Sequence, residues 1–174
     1  MVRGLRRTSY RLRQVLRGFR AALSESEARS VRALLSEPEL RLFLGMEARD
    51  RRHAVDVMRW LRTHTEPSDA LLAAALLHDV GKGPLRLRDR VTFALLEAAF
   101  PRLLDRLASQ RSARGRRALW ALRHHPRLGA SLLSEVGTRA EIVELVARHT
   151  ERAGPTAPAV GDELAWLIVA DHAC

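Results

Sequence analysis

The chain has one cysteine, Cys174, one lysine, two isoleucines and no asparagine. A lone cysteine excludes a disulfide framework and any cysteine-rich metal site. Aromatic residues make up only 5% of the chain, so there is little surface on which nucleobases could stack. The longest uncharged apolar run, Ala70 to Leu77, is far shorter than the ~20 residues of a bilayer-spanning helix. The basic N-terminus lacks the apolar core of a secretory signal. The expected compartment is therefore the cytoplasm. No stretch alternates with period two, and there are no internal repeats and no linker between two large domains.

What is present is ample for one buried core. The 174 residues are 47% hydrophobic and 29% charged, a globular composition. The net charge of +10 is unevenly placed. Residues 1–20 hold seven Arg and no acid, and residues 102–127 hold eight Arg against Asp105 alone. The rest of the chain is mildly acidic. Two basic blocks of this kind either favour an anionic partner or form solvated faces. Residues 102–127 are open to nucleic acid and residues 1–22 to a membrane surface.

The periodicity is helical throughout, so the class is all-α. Leu5, Leu12, Leu16, Phe19 and Leu23 form an apolar stripe on an Arg-rich segment. Residues 1–22 are predicted to form a basic amphipathic helix, lying on a membrane or on the domain itself, and residues 23–174 the domain. Ser24 with Glu27 is a capping box for a helix to Leu35, and Ser36-Glu37-Pro38 opens another. Helices are expected at 48–64 and from Pro67-Ser68-Asp69 to His78, followed by a turn over Val80–Pro84. Further helices are expected at 88–100, 102–109, 115–124 and 126–136. Thr138 with Glu141 reads as a second capping box for a helix to His149, and a last helix follows Asp162.

Several metal-capable side chains stand on faces that should otherwise be buried. His53 aligns with Val57, Trp60 and Leu61, and His78 ends the run Leu71–Leu77. His149 follows Ile142, Leu145 and Val146, and Asp171 follows Leu164, Leu167 and Ile168. Asp79 sits where an apolar helix breaks into a glycine turn. A carboxylate on an apolar stripe is costly unless it is paired or bound to a cation. Singly, each could be an ordinary core histidine, an ion-pair partner or a helix-end cap. Together, imidazole and carboxylate suit Fe, Mn or Zn.

In order along the chain, His53, His78-Asp79 and Asp171, with Asp79-Val80-Gly81-Lys82, resemble the HD superfamily of metal-dependent phosphohydrolases. His125 in HHPRLGASLL and His149 in VARHTE resemble the additional histidines of its two-metal members. The resemblance covers about residues 40–174 and implies a compact multi-helix HD bundle. It implies that His53, His78, Asp79 and Asp171 hold one divalent first-row ion, and that Asp79 bridges to a second held by His125 and His149. It further implies a water or hydroxide between the ions as nucleophile, and Lys82 on a substrate phosphate oxygen or on that water. The chain's single Lys falls in this motif while Arg is used everywhere else. His124 is the alternative to His125; the resemblance favours His125, which directly precedes Pro126 as in related members, and leaves His124 beside the site or facing solvent. His64 and His172 read as structural or surface residues. Arg51, Arg52, Arg86 and Arg88 flank the motifs, either touching substrate phosphate or solvated.

The implied activity is hydrolysis of a phosphorylated anion, in the first place a nucleotide. The absence of a Gly-Tyr-Pro segment after the motif argues against the HD-GYP cyclic-dinucleotide phosphodiesterases. The same fold also hosts di-iron oxygenases with this ligand pattern, and non-catalytic signalling or nucleic-acid-binding modules.

Overall fold

The computed structural model describes residues 22–83, 85–109, 114–151, 158–159 and 161–174. The expected helix within residues 1–22 lies outside them, apart from its last residue. Among the described residues every regular element is helical. Local chemistry sets the early boundaries. Ser24 caps α1 (Glu25–Leu34): its hydroxyl accepts from the Glu27 N–H at 3.2 Å, and its own N–H donates to Glu27 Oε2 at 2.8 Å. Ser36 opens α2 (Glu37–Gly45) by donating both its N–H and its hydroxyl to Glu39 Oε2.

Helix α3 (Ala48–His64) carries His53, and α4 (Asp69–Leu77) follows the Ser68 cap. Every residue of α4 from Ala70 to Leu77 is buried. A helix apolar all round has no face to give to water, so it becomes the centre of the bundle. Helices α1, α2 and α3 pack on it, as do α8 (Ala140–Arg148) and α9 (Glu163–Ala173). Phe43, Met58, Leu61, Leu76, Ile142 and Leu167 fill the space between them. A single 3-10 turn, Val80–Lys82, leaves the end of α4 and lies against α7 (Arg114–Glu135). Helices α5 (Leu87–Ala99) and α6 (Pro101–Leu107) pack on α7 and on each other.

Two expectations are corrected. The helices expected at 115–124 and 126–136 are one continuous helix, with Pro126 inside it. Proline there removes the N–H that would have bonded Leu122 O, and the His125 Nδ1–H donates to that carbonyl instead, at 2.8 Å. The Thr138–Glu141 capping box does not form. The helix begins one residue later with Arg139 as its cap, and Glu141 pairs with Arg139 at 3.0 Å. Thr138 Oγ1 is buried without a hydrogen-bond partner among the described residues.

Within the second basic block, Arg102, Arg106, Arg116, Arg117, Arg123 and Arg127 are exposed. Arg123 pairs with Asp105 at 2.6 Å, and Arg116 donates to the carbonyls of Leu107 and Arg106. The described helices include none long and apolar enough to cross a membrane.

Candidate metal centre

His78 and His149 each stand at the C-terminal end of a helix, where carbonyls lack helical partners. The His78 Nδ1–H donates to Ala75 O at 2.8 Å, and the His149 Nδ1–H to Val146 O at 2.7 Å. His125 does the same within α7, using the carbonyl that Pro126 leaves unpaired. All three imidazoles thus bond the carbonyl three residues back. Such a bond fixes the tautomer and leaves Nε2 as the outward atom.

The outward atoms converge into two groups. His53, His78 and Asp171 form one, and Asp79, His125 and His149 the other, with the donor atoms of each group within 4.8 Å of one another. The His53 Nε2–H donates to Asp171 Oδ1 at 2.9 Å. Asp79 lies between the groups, with Oδ2 3.4 Å from His78 Nε2 and Oδ1 3.5 Å from His125 Nε2. Edge-to-face contacts join the rings of His53, His78, His149 and His125 in a chain, with centroids 5.0–5.3 Å apart. Lys82 Nζ donates to Asp79 Oδ2 at 2.5 Å.

Two features of this geometry call for a cation. His78 Nε2 is buried and makes no hydrogen bond, a costly state for an imidazole nitrogen. His125 Nε2 and His149 Nε2 face each other at 3.1 Å while both Nδ1 protons are committed to carbonyls. Two lone pairs at that separation repel unless positive charge lies beside them. The donor set, imidazole nitrogens with carboxylate oxygens, fits a first-row divalent ion.

Electrostatics keep His125 and His149 in binding form. Burial, with the Lys82 charge second, pushes His125 down to about 3, and burial, with the His78 charge second, pushes His149 down to about 4. Both are neutral at pH 7 and keep a lone pair. Burial opposes charge on His78, but the Asp79 and Asp171 carboxylates outweigh it and raise His78 to about 10. Burial likewise opposes charge on Asp79 and Asp171, yet the adjoining imidazoles, and Lys82 beside Asp79, hold both well below the usual carboxylate range. A proton on His78 therefore occupies the place a metal would take, and binding a metal there would displace it.

Glycines let the backbone bring these donors together. A Cβ on Gly81 would lie 2.1 Å from His125 O and 2.4 Å from Gly129 N, so the turn presses directly on the α7 backbone at the ligand itself. Gly83 has φ +63, a left-handed conformation that closes the turn at little cost only for glycine.

The flanking residues divide differently. His124 lies against Trp120, ring centroids 5.0 Å apart, and outside both groups. Arg52 is not turned to the centre. It grips Glu27 through two bonds of 2.9 Å and Asp56 through a third, tying α1 to α3. Arg51 donates to the carbonyls of Leu44 and Met46. Arg86 is an exposed helix cap, and the exposed Arg88 lies 3.9 Å from Asp89. His64 stacks on Trp60 at 4.0 Å, and the His172 Nδ1–H donates to Ile168 O. One further arrangement left little sign in the sequence. Asp50, buried one turn before His53, receives both terminal nitrogens of Arg90, at 2.9 and 2.6 Å. An acidic residue facing inward from α3 was its only signal.

The model of the HD domain family matches residues 50–171. The chain belongs to the HD-domain family. Both donor groups fall on the matched segment, and HD domains are commonly metal-dependent phosphohydrolases. No curated protein and no solved structure matches the chain significantly.

Proposed function

We propose that this HD domain is a metal-dependent phosphohydrolase or phosphodiesterase acting on a nucleotide or a related phosphorylated small molecule. The observation that carries this reading is the place of Asp79, with one oxygen toward each donor group. In this reading His53, His78, Asp79 and Asp171 hold one ion, and Asp79, His125 and His149 hold a second. A pair of Fe, Mn or Zn ions would supply Lewis-acid polarisation of a phosphoryl oxygen and a water acidified to about pKa 7.

The chain's own contribution is position and charge. The carbonyl bonds of His78, His125 and His149 hold three donors rigid before substrate arrives. Lys82 sits on Asp79 and reaches on a flexible stem, so it can follow negative charge as it builds on a phosphoryl oxygen. The exposed arginines of residues 102–127 draw anions toward the domain.

The test is metal analysis by mass spectrometry on chelator-free protein, followed by a screen of nucleotides and phosphodiesters. About two ions per chain and phosphoryl-bond cleavage are expected. No bound metal after reconstitution with Mn, Fe and Zn, and no turnover, would overturn the reading.

A further inference from the structure

Among the described residues, four of the six large apolar side chains left exposed lie on one pair of helices and on the residue that joins them. Val91 is 46% exposed, Leu95 65%, Phe100 61% and Leu103 43%. Arg88, Val91 and Leu95 share one face of α5 at spacings of three and four. Beside them, Ala99, Phe100, Pro101, Arg102, Leu103 and Arg106 line a groove of about 490 Å³. These helices turn apolar groups outward where an ordinary surface helix turns them inward. Ala99, one turn beyond Leu95, carries the α5 face to that groove, and large apolar side chains left exposed on neighbouring elements mark an interaction surface.

We propose that the α5–α6 face docks on an anionic lipid bilayer. Charge selects the occupant. Arg102 and Arg106 are exposed and have no carboxylate partner among the described residues. The nearby acids are turned to other tasks: Asp89 caps α5 through the Arg86 N–H, and Asp105 pairs with Arg123. Glu97, two residues beyond Leu95, points from a different side of the helix. Aliphatic side chains beside guanidinium groups suit a bilayer interface, where hydrocarbon enters the acyl boundary and arginine meets lipid phosphate.

Other occupants fit less well. Residues 1–20 carry seven Arg and no acid, so covering this face with them would set like charges together. A second copy of the chain would do the same across a twofold axis. Nucleic acid would find Val91, Leu95 and Leu103 but a single ring, Phe100, on which to stack.

The test is co-sedimentation of the full chain with phosphatidylcholine vesicles, with and without phosphatidylglycerol. Binding is expected only to the anionic vesicles and should weaken with salt. Leu95→Glu/Phe100→Glu should lower the partition coefficient about tenfold or more. Arg102→Glu/Arg106→Glu should do so by a similar factor, with the helical circular dichroism of both variants unchanged, because all four side chains are exposed. Three results would overturn the proposal. One is undiminished binding by both variants, which would assign the affinity to residues 1–21. Another is failure of the wild-type chain to bind anionic vesicles at low salt. The third is Arg102- and Arg106-dependent binding of single-stranded nucleic acid that anionic vesicles do not displace.

Discussion

Asp79 holds one side-chain oxygen near His78 Nε2 and the other near His125 Nε2. If one carboxylate serves both donor groups, Asp79→Ala should lose both ions in metal analysis. Two ions and full turnover in that variant would sink the ligand assignment. In the proposed reading Lys82 acts on the charge that builds on the substrate. Lys82→Ala should therefore retain its metal while turnover of phosphate substrates falls about 10²–10³-fold, the scale of one lost electrostatic contact. Lys82→Arg should not restore it, because a planar fork cannot replace a compact ammonium on one carboxylate oxygen. Gly81 is constrained by space. Its α-hydrogen faces the His125 carbonyl, where a methyl group would collide with backbone. Gly81→Ala should destabilise the fold by about 1–3 kcal/mol, read from urea unfolding, and weaken metal binding through displaced His125.

At the scale of elements, the bond between α1 and α3 makes a pH-dependent contribution. Arg52 holds Glu27 down to about 2, against an ordinary 4.5. The folded state thus keeps Glu27 charged where the unfolded state protonates it. Its contribution is complete above pH 4.5 and is lost as pH falls toward 2. In urea titrations across that range, Glu27→Gln should be less stable than wild type by about 1–2 kcal/mol at pH 7, and the gap should close in acid. The Ser24–Glu27 cap was legible in the sequence because both partners lie within one turn. Thr138 and Glu141 show the same spacing, but Arg139 draws Glu141 away and becomes the cap itself. Pro126 read as a helix break because a sequence does not show that the adjoining His125 uses the stranded carbonyl. The buried Asp50–Arg90 pair stayed hidden because its partners are 40 residues apart. Five of the six donors were legible because imidazole and carboxylate on apolar helix faces are costly to bury without a cation or a partner, whereas His125, next to His124, was marked only by the family resemblance.

For the molecule as a whole, the centre gathers side chains from α3, the end of α4, α7, the end of α8 and α9. Donors gathered from so many elements would couple metal binding to global unfolding. Free metal at about a hundred times its dissociation constant would add about 2.7 kcal/mol. For a chain of this size the melting temperature should then rise by about 5–10 °C over chelator-treated protein, as read by calorimetry. An Asp79→Ala chain should show no such rise. His53 and Asp171 are 118 residues apart, whereas His125 and His149 are separated by 24. The His53–Asp171 contact therefore closes a loop that spans most of the domain, and the His125–His149 contact a short one. The longer loop costs more chain entropy to close, by about 1.4 kcal/mol on loop-length scaling, and the packing of α3 against α9 offsets it.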